Sequence, residues 1–482
     1  MGLQLYDTLR RAQVDFVPRD EGKASLYVCG PTVQAPPHVG HGRADVVFDI
    51  LRRWLIWSGN EVTFVRNVTD VDDKIILKAQ LEGTTPAQVA TRNLFAFNHS
   101  AEMLGLLPPD VQPLATAHIF EMQELMQELI DQDKAYVVDG NVLFRVRAFD
   151  DYGKLSNRDV DDEVGGEDLV GAEVKEDPID FAMWKAAKPG EPSWPSPWGP
   201  GRPGWHIECS AMASAHLGAG FDIHGGGLDL VFPHHENEIA QFEAATGEQF
   251  ARHWVHNGML RMGEDKMSKS IGNVVGIAEA VEEWGRGPLR LWYLSAHYRS
   301  PLTYDEDRLL EAQAAHERIT TLLRTARASG FPATPFDRDG ADNTVAGPFL
   351  DRFTAAMDDD LNATKAVAVL HDAVSRAHER LQDAEDGDAT AAADVGVLTG
   401  MVIALGDDVL ALDLQQAIEA DDALGERFGT LVTHLLEERK RARADKDFAR
   451  ADDIRDQLAA AGVVIEDRPN GSRWYLGTKA SS

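Results

Sequence analysis

Cysteine is nearly missing from this chain, with two in 482 residues. That excludes a disulfide-stapled scaffold and fits a reducing compartment. The two, Cys29 and Cys209, are far apart in sequence, so there is no local C-x-x-C site. There is no G-x-x-x-x-G-K-[ST] loop, which disfavours a Walker-type ATPase. The start, Met1-Gly2-Leu3-Gln4-Leu5-Tyr6-Asp7, lacks the cationic segment and apolar run of a signal peptide. Tyr6 stands where a myristoylation signal requires Ser or Thr. No stretch reads as long and apolar enough to span a bilayer, so the expectation is a cytoplasmic protein with no membrane partner. Positive charge is also scarce. A net charge of −32 argues against coating nucleic acid by bulk attraction and leaves RNA binding to local basic patches.

What remains is ordinary globular material, 44% hydrophobic and 26% charged, and long enough for several domains. Residues 24–29 form a short apolar run that reads as a strand, and residues 40–57 carry helical apolar spacing through Val46, Val47, Ile50, Leu51 and Trp54. Residues 62–65 read as the next strand. A strand, a loop and a helix opening at once make an anion site. Helices are expected over about 86–133. Residues 136–198 change texture, with strand-like pieces at 142–146, an acidic loop at 159–168 and a Pro/Trp-rich end, and read as an insertion. The second half resumes near Gly204, with a strand at 221–224, a close backbone approach at Gly225-Gly226-Gly227 and a helix over 233–246 starting on a proline. Helical periodicity fills about 305–420, with breaks at 330–347 and 383–388, implying an antiparallel bundle. The last residues hold a helix pair and a hairpin signal around Pro469-Asn470-Gly471. The fold class expected is therefore α/β: a split Rossmann-like nucleotide-binding domain with an insertion, then an α-helical bundle and a small α+β module.

Two motifs carry chemistry. In His38-Val39-Gly40-His41 the imidazoles are spaced i,i+3 on the first turn of a helix, where ring donors and helix-end amides can hold phosphate charge. In Lys266-Met267-Ser268-Lys269-Ser270, flanked by Gly263 and Gly272, two lysines act as mobile point charges for a triphosphate. Either alone reads equally as surface residues. Together, in this order, the chain resembles the class I aminoacyl-tRNA synthetases, and within them the cysteinyl-tRNA synthetase family. The narrower resemblance rests on Tyr27-Val28-Cys29-Gly30-Pro31-Thr32, Asn67-Val68-Thr69-Asp70-Val71-Asp72-Asp73-Lys74, Gly204-Trp205-His206-Ile207-Glu208-Cys209-Ser210, Phe221-Asp222-Ile223-His224-Gly225-Gly226-Gly227-Leu228-Asp229 and Pro233-His234-His235-Glu236-Asn237-Glu238. It extends over nearly the whole chain. One departure is Gln34-Ala35-Pro36, where an aromatic–acidic pair is commoner in the family.

The resemblance implies activation of L-cysteine by ATP with Mg2+, transfer to tRNA(Cys), and a monomer. It implies residues 1–135 and 204–260 as the two catalytic halves, 136–203 as the connective insertion, 261–304 as the lysine-loop and stem-contact region, 305–420 as the bundle and 421–482 as an anticodon-binding module. It places catalytic, ATP-binding roles on His38, His41, Lys266 and Lys269. Substrate contacts fall on Cys29, Gly30, Thr32, Asn67, Thr69, Trp205, Gly226, Gly227 and Asp229. One Zn2+ per chain falls on Cys29, Cys209, His234 and Glu238. The residues agree with the last: two thiolates, an imidazole and a carboxylate complete a four-ligand shell, His234 and Glu238 share a helix face at i,i+4, and His235 and Glu236 would project elsewhere. A zinc ion tells a thiolate from a serine hydroxyl where an apolar pocket cannot, so no editing domain is required. The tail adds Arg439, Lys440, Arg441, Arg443, Lys446, Arg450 and Arg455 for phosphates and Trp474 for stacking, although acidic residues interrupt that patch and a solvated helix laced with ion pairs explains it as well. A zinc hydrolase half-site, a ligase joining cysteine to an aminosugar, and a catalytically silent nucleotide or RNA binder remain alternatives.

Overall fold

The computed structural model describes residues 2–159, 174–262, 265–266, 275–341, 344–445, 447–461, 463–468 and 471–476. The chain forms two compact units, residues 1–414 and 415–482. The larger opens with a hairpin, β1 (Gln4–Asp7) and β2 (Ala12–Asp15). The first nucleotide-binding half follows as β3 (Lys23–Val28), α1 (Val39–Trp57) and β4 (Glu61–Arg66), then α2 (Asp73–Glu82), α3 (Pro86–Met103) and α4 (Ile119–Asp131). The insertion is a four-stranded antiparallel sheet, β5 (Ala135–Val138), β6 (Asn141–Phe144), β7 (Phe181–Ala186) and β8 (Gly201–Pro203). The second half is α5 (Trp205–Leu217), β9 (Phe221–Gly227), α6 (Glu236–Thr246) and β10 (Ala251–Asn257). The expected acidic loop lies mostly outside the described residues.

The catalytic sheet is parallel, in the order β10-β9-β3-β4. Its two central strands, β3 and β9, feed crossovers that run in opposite directions, one to β4 and one to β10. That reversal is a topological switch point, and the crevice at the carboxyl ends of β3 and β9 is where such sheets bind ligands. Cys29 is the first residue past β3, and Gly226 and Gly227 end β9.

A small sheet of β11 (Leu260–Met262), β12 (Asp265–Lys266) and β13 (Leu302–Tyr304) follows, with α7 (Ile277–Trp284) and α8 (Arg286–Leu294) between its strands. The bundle is α9 (Glu306–Ala328), α10 (Gly347–Asp358), α11 (Ala363–Glu385) and α12 (Ala389–Ala404), with α11 packed against the other three. Both expected breaks fall between helices. Residues Ala389–Val409 are long and apolar enough to cross a bilayer by composition, contrary to expectation, but over half of that stretch is buried in the bundle. α8 joins α1 through Arg290, wholly buried, whose guanidinium meets Asp49 (2.7 Å) and the carbonyls of Leu410 (2.9 Å) and Leu104 (3.1 Å).

α13 (Leu414–Ala444) is one helix of 31 residues that runs through the boundary expected at 420/421. In the smaller unit it is followed by α14 (Phe448–Ala460) and the hairpin β14 (Val463–Arg468) and β15 (Gly471–Leu476), whose register pairs position 465 with position 474. Val432, Ile454, Leu458 and Val463 form its core.

Two local readings needed revision. α5 shows no helical period in its sequence because residues 206–213 are buried on every face, His206 and Glu208 among them, so polar and apolar residues do not sort onto opposite sides. α6 begins at Glu236 rather than Pro233, because Val231–His235 form a wider π-helical turn in which Phe232 keeps an extended backbone.

Candidate active site

A cavity of about 380 Å³ opens at the switch point. Cys29, Gly30, Thr32, His38, His41, Trp205, Gly226, Gly227 and Asp229 line it. Glycine is required at Gly30, where a Cβ would overlap the Asn67 carbonyl, and at Gly226, where it would stand 2.8 Å from the His235 ring.

The two histidines of the first motif build the helix start that holds them. His38 Nδ1 accepts the Gly40 amide (3.1 Å) and His41 Nδ1 accepts the His38 amide (3.2 Å), a reciprocal cap. Their rings stack at 3.8 Å. With both Nδ1 atoms accepting, each neutral ring carries its proton on Nε2. The result is two ring donors beside the positive end of α1. The segment after the lysine motif is tied to the same place: Val39 donates to the Val275 carbonyl (3.0 Å) and Ile277 to the Pro37 carbonyl (3.4 Å). Lys266 ends β12, and Lys269 lies outside the described residues.

On the opposite side, chain segments far apart in sequence converge. Donor atoms of Cys29, Cys209, His234 and Glu238 all lie within 4.8 Å of one another. The thiols form no disulfide but meet at 3.5 Å in a hydrogen bond, and Cys29 Sγ is 3.4 Å from Glu238 Oε1. His234 Nε2 is 3.0 Å from the same oxygen. Burial alone would raise the Cys209 thiol, but hydrogen bonding from Cys29 and His234 brings it down to about 6. Burial likewise opposes the charge on His234 and is outweighed by Glu238 and Cys209, holding it at about 10. Glu238 is pulled well below the carboxylate range, against its burial, by His224 and His234. Cys29 is pushed up, first by burial and then by Cys209. Two sulfurs, an imidazole and a carboxylate, three of them buried and Cys29 facing the cavity, have the donor chemistry and count of a zinc site.

Four further histidines surround this quartet, none singled out as a site residue from sequence. His224 Nε2 donates to Glu238 Oε2 at 2.6 Å. His235 Nε2 reaches Cys29 Sγ at 3.3 Å, and its Nδ1 meets His256 Nε2 at 2.8 Å. His206 Nδ1 meets His234 Nδ1 at 3.0 Å. His235 therefore does not project away as helical spacing suggested, because the π-turn breaks that spacing. Cys29, His224, His235 and Glu238 form a second, overlapping quartet. It has one sulfur instead of two, which makes it the poorer match for a thiophilic ion.

Trp205 is 37% exposed, not a core aromatic, and stacks on His234 at 4.1 Å. Asn67 and Thr69 stand behind the cavity wall rather than on it. Asn67 Oδ1 accepts the Gly30 amide (2.7 Å), and Thr69 Oγ1 donates to Glu208 Oε2 (2.7 Å). In the smaller unit Arg450 is paired with Glu438 (2.9 Å) and Asp453 (2.6 Å), and Arg439 is buried, so part of the basic patch is committed internally.

A family model for the class I (C) tRNA synthetase catalytic domain matches residues 15–314, one for the DALR domain residues 352–406, and one for the cysteinyl-tRNA ligase anticodon-binding domain residues 428–474. A cysteine–tRNA ligase of Streptomyces avermitilis is 48% identical over 99% of this chain and 100% of its own length. The chain belongs to the cysteine–tRNA ligase family. A Brevibacillus brevis cysteine–tRNA ligase is 45% identical over 98% of this chain and 99% of its own. Among solved structures, Mycobacterium tuberculosis methionyl-tRNA synthetase with methionyl-adenylate superposes with a TM-score of 0.60 at 17% identity, over 82% of this chain and 92% of that one. That likeness shows a shared class I synthetase fold. In this cysteine–tRNA ligase family member the histidine motif and Cys29 of the sulfur-bearing quartet line one crevice.

Proposed function

We propose that this chain joins L-cysteine to the 3′-terminal ribose of tRNA(Cys). The cysteine carboxylate attacks the α-phosphate of ATP, giving cysteinyl-adenylate and pyrophosphate, and the ribose hydroxyl then takes the cysteinyl group. Family membership supports the reaction. The observation that carries the choice of amino acid is the meeting of two thiols, an imidazole and a carboxylate beside Trp205 and the cavity.

Zn2+ held by Cys29, Cys209, His234 and Glu238 would offer the substrate sulfur a soft positive partner that a serine hydroxyl cannot match. Trp205 lies flat against the substrate side chain and excludes water. Asp229, exposed at the rim, holds the substrate amine. Gly226 and Gly227 leave space for the nucleotide, and Gly30 and Thr32 present polar groups to the adenylate. Asn67 and Thr69 act one step back, by fixing Gly30 and Glu208. His38 and His41 donate Nε2–H to the phosphates at the positive end of α1, and Lys266 and Lys269 close over them while Mg2+ shares the charge. The C-terminal unit, 415–482, meets the anticodon region through its basic helices and Trp474. The active species is a cytoplasmic monomer.

Cysteine-dependent ATP–pyrophosphate exchange, followed by charging of bulk tRNA with labelled cysteine, tests the reading. No exchange with cysteine would refute it. Exchange without tRNA charging would favour a ligase that uses a small amine acceptor.

A further inference from the structure

Away from the cavity, two imidazoles meet on the surface of the larger unit. His118 stands at the N-cap of α4 and His216 in the last turn of α5. Their Nε2 atoms are 3.0 Å apart, and the rings meet edge to face at 64° with centroids 5.1 Å apart. His118 Nδ1 lies 2.9 Å from the Leu114 carbonyl. A carbonyl only accepts, so Nδ1 carries the ring proton and Nε2 turns its lone pair toward His216. An imidazole with one nitrogen tied to a carbonyl and the other bare is oriented as metal-ligating histidines are.

Two nitrogens on one tetrahedral ion stand about 3.3 Å apart, given metal–nitrogen bonds of 2.0–2.1 Å. The pair needs to open by only a few tenths of an ångström. Glu121 follows His118 by three residues in the first turn of α4, on the same helix face. Its charge acts on His216, raising a ring that burial and His118 otherwise hold low. His216 is exposed, so a hydrated ion can reach it.

We propose that His118 and His216, joined by Glu121 when its side chain turns toward them, form a second divalent transition-metal site, separate from the quartet around Cys29. Two imidazoles and a carboxylate, completed by water, suit Zn2+, Ni2+, Co2+ or Cu2+ and not Mg2+ or Ca2+. The ion fastens the start of α4 to the end of α5, the helix that begins at Trp205 and carries Cys209.

The test uses the full-length, zinc-loaded protein titrated with Ni2+ by calorimetry. Zinc content before and after shows whether Ni2+ has displaced the resident ion. The wild-type protein takes up one Ni2+ without losing zinc, and its melting temperature rises with Ni2+. His216→Ala, at an exposed position, weakens that uptake at least roughly tenfold and abolishes the melting shift, while Glu121→Gln weakens it by less. Absence of uptake by wild type at roughly millimolar free Ni2+, or equal uptake by wild type and His216→Ala, would overturn the proposal and leave the pair as an N–H···N contact between neutral rings.

Discussion

His224→Phe isolates one hydrogen bond behind the candidate metal centre. His224 is wholly buried, stacks on Trp254 at 4.4 Å and 17°, and uses Nε2 to hold Glu238 Oε2 at 2.6 Å. Its Nδ1 has no partner, so removing both ring nitrogens takes away this single bond. Phenylalanine retains the stack and most of the volume. A buried hydrogen bond to a charged group contributes about 1.5–3 kcal/mol, which converts to a loss of about 10- to 150-fold in ion affinity. Outer partners of metal ligands contribute by a similar factor. Zinc affinity measured by competition with a chelating dye should fall by that factor while the melting temperature barely moves. Unchanged zinc affinity in a fully folded variant would refute the claim that His224 orients Glu238 for an ion.

Four further predictions concern other parts of the chain. Lys269→Ala should depress cysteine-dependent pyrophosphate exchange much more than cysteine binding measured by calorimetry; an unaltered exchange rate would count against a role for Lys269 on the phosphates. Trp205→Ala should raise the KM for cysteine about tenfold, from lost stacking and apolar cover, whereas an unchanged KM would mean that Trp205 does not touch the substrate. Arg290→Met leaves Asp49 buried beside Arg53 alone and should lower stability by about 3 kcal/mol in urea titration. Asp73 is half-buried, which raises its carboxyl, but Lys185 and Arg202 pull it below its ordinary value. A folded value below the unfolded one contributes stability above about pH 4 and loses it as pH falls further, so Asp73→Asn should cost about 1 kcal/mol at neutral pH and nothing at the lowest pH where the protein stays folded.

The βαβ start was legible because an apolar strand, a Pro-Pro loop and a 3.6-residue period sit next to one another, and the structure places β3 and α1 almost where spacing put them. The quartet was legible because thiols are so rare here that each surviving one stands out, and its motifs carry a family likeness. His224, His235 and His256 were not. Each lies in a strand or turn where a single histidine looks like any half-polar residue, and their partners are set by the parallel pairing of β9 with β3 and β10. The π-turn at Val231–His235 shifted His235 toward Cys29, which no fixed period anticipates. α5 was invisible for the opposite reason: its middle, residues 206–213, is buried on every side, polar His206 and Glu208 included, so no amphipathic period marks it. The insertion read as strand fragments because, past the tight β5–β6 hairpin, β7 and β8 join its sheet across long gaps in sequence.

Metal analysis of the purified protein, paired with cysteine-versus-serine exchange before and after chelation, tests the central claim most directly. The account predicts one zinc per chain, exchange with cysteine and not with serine, and loss on chelation that added zinc restores. Metal-free protein that still activates cysteine at the same rate would contradict it.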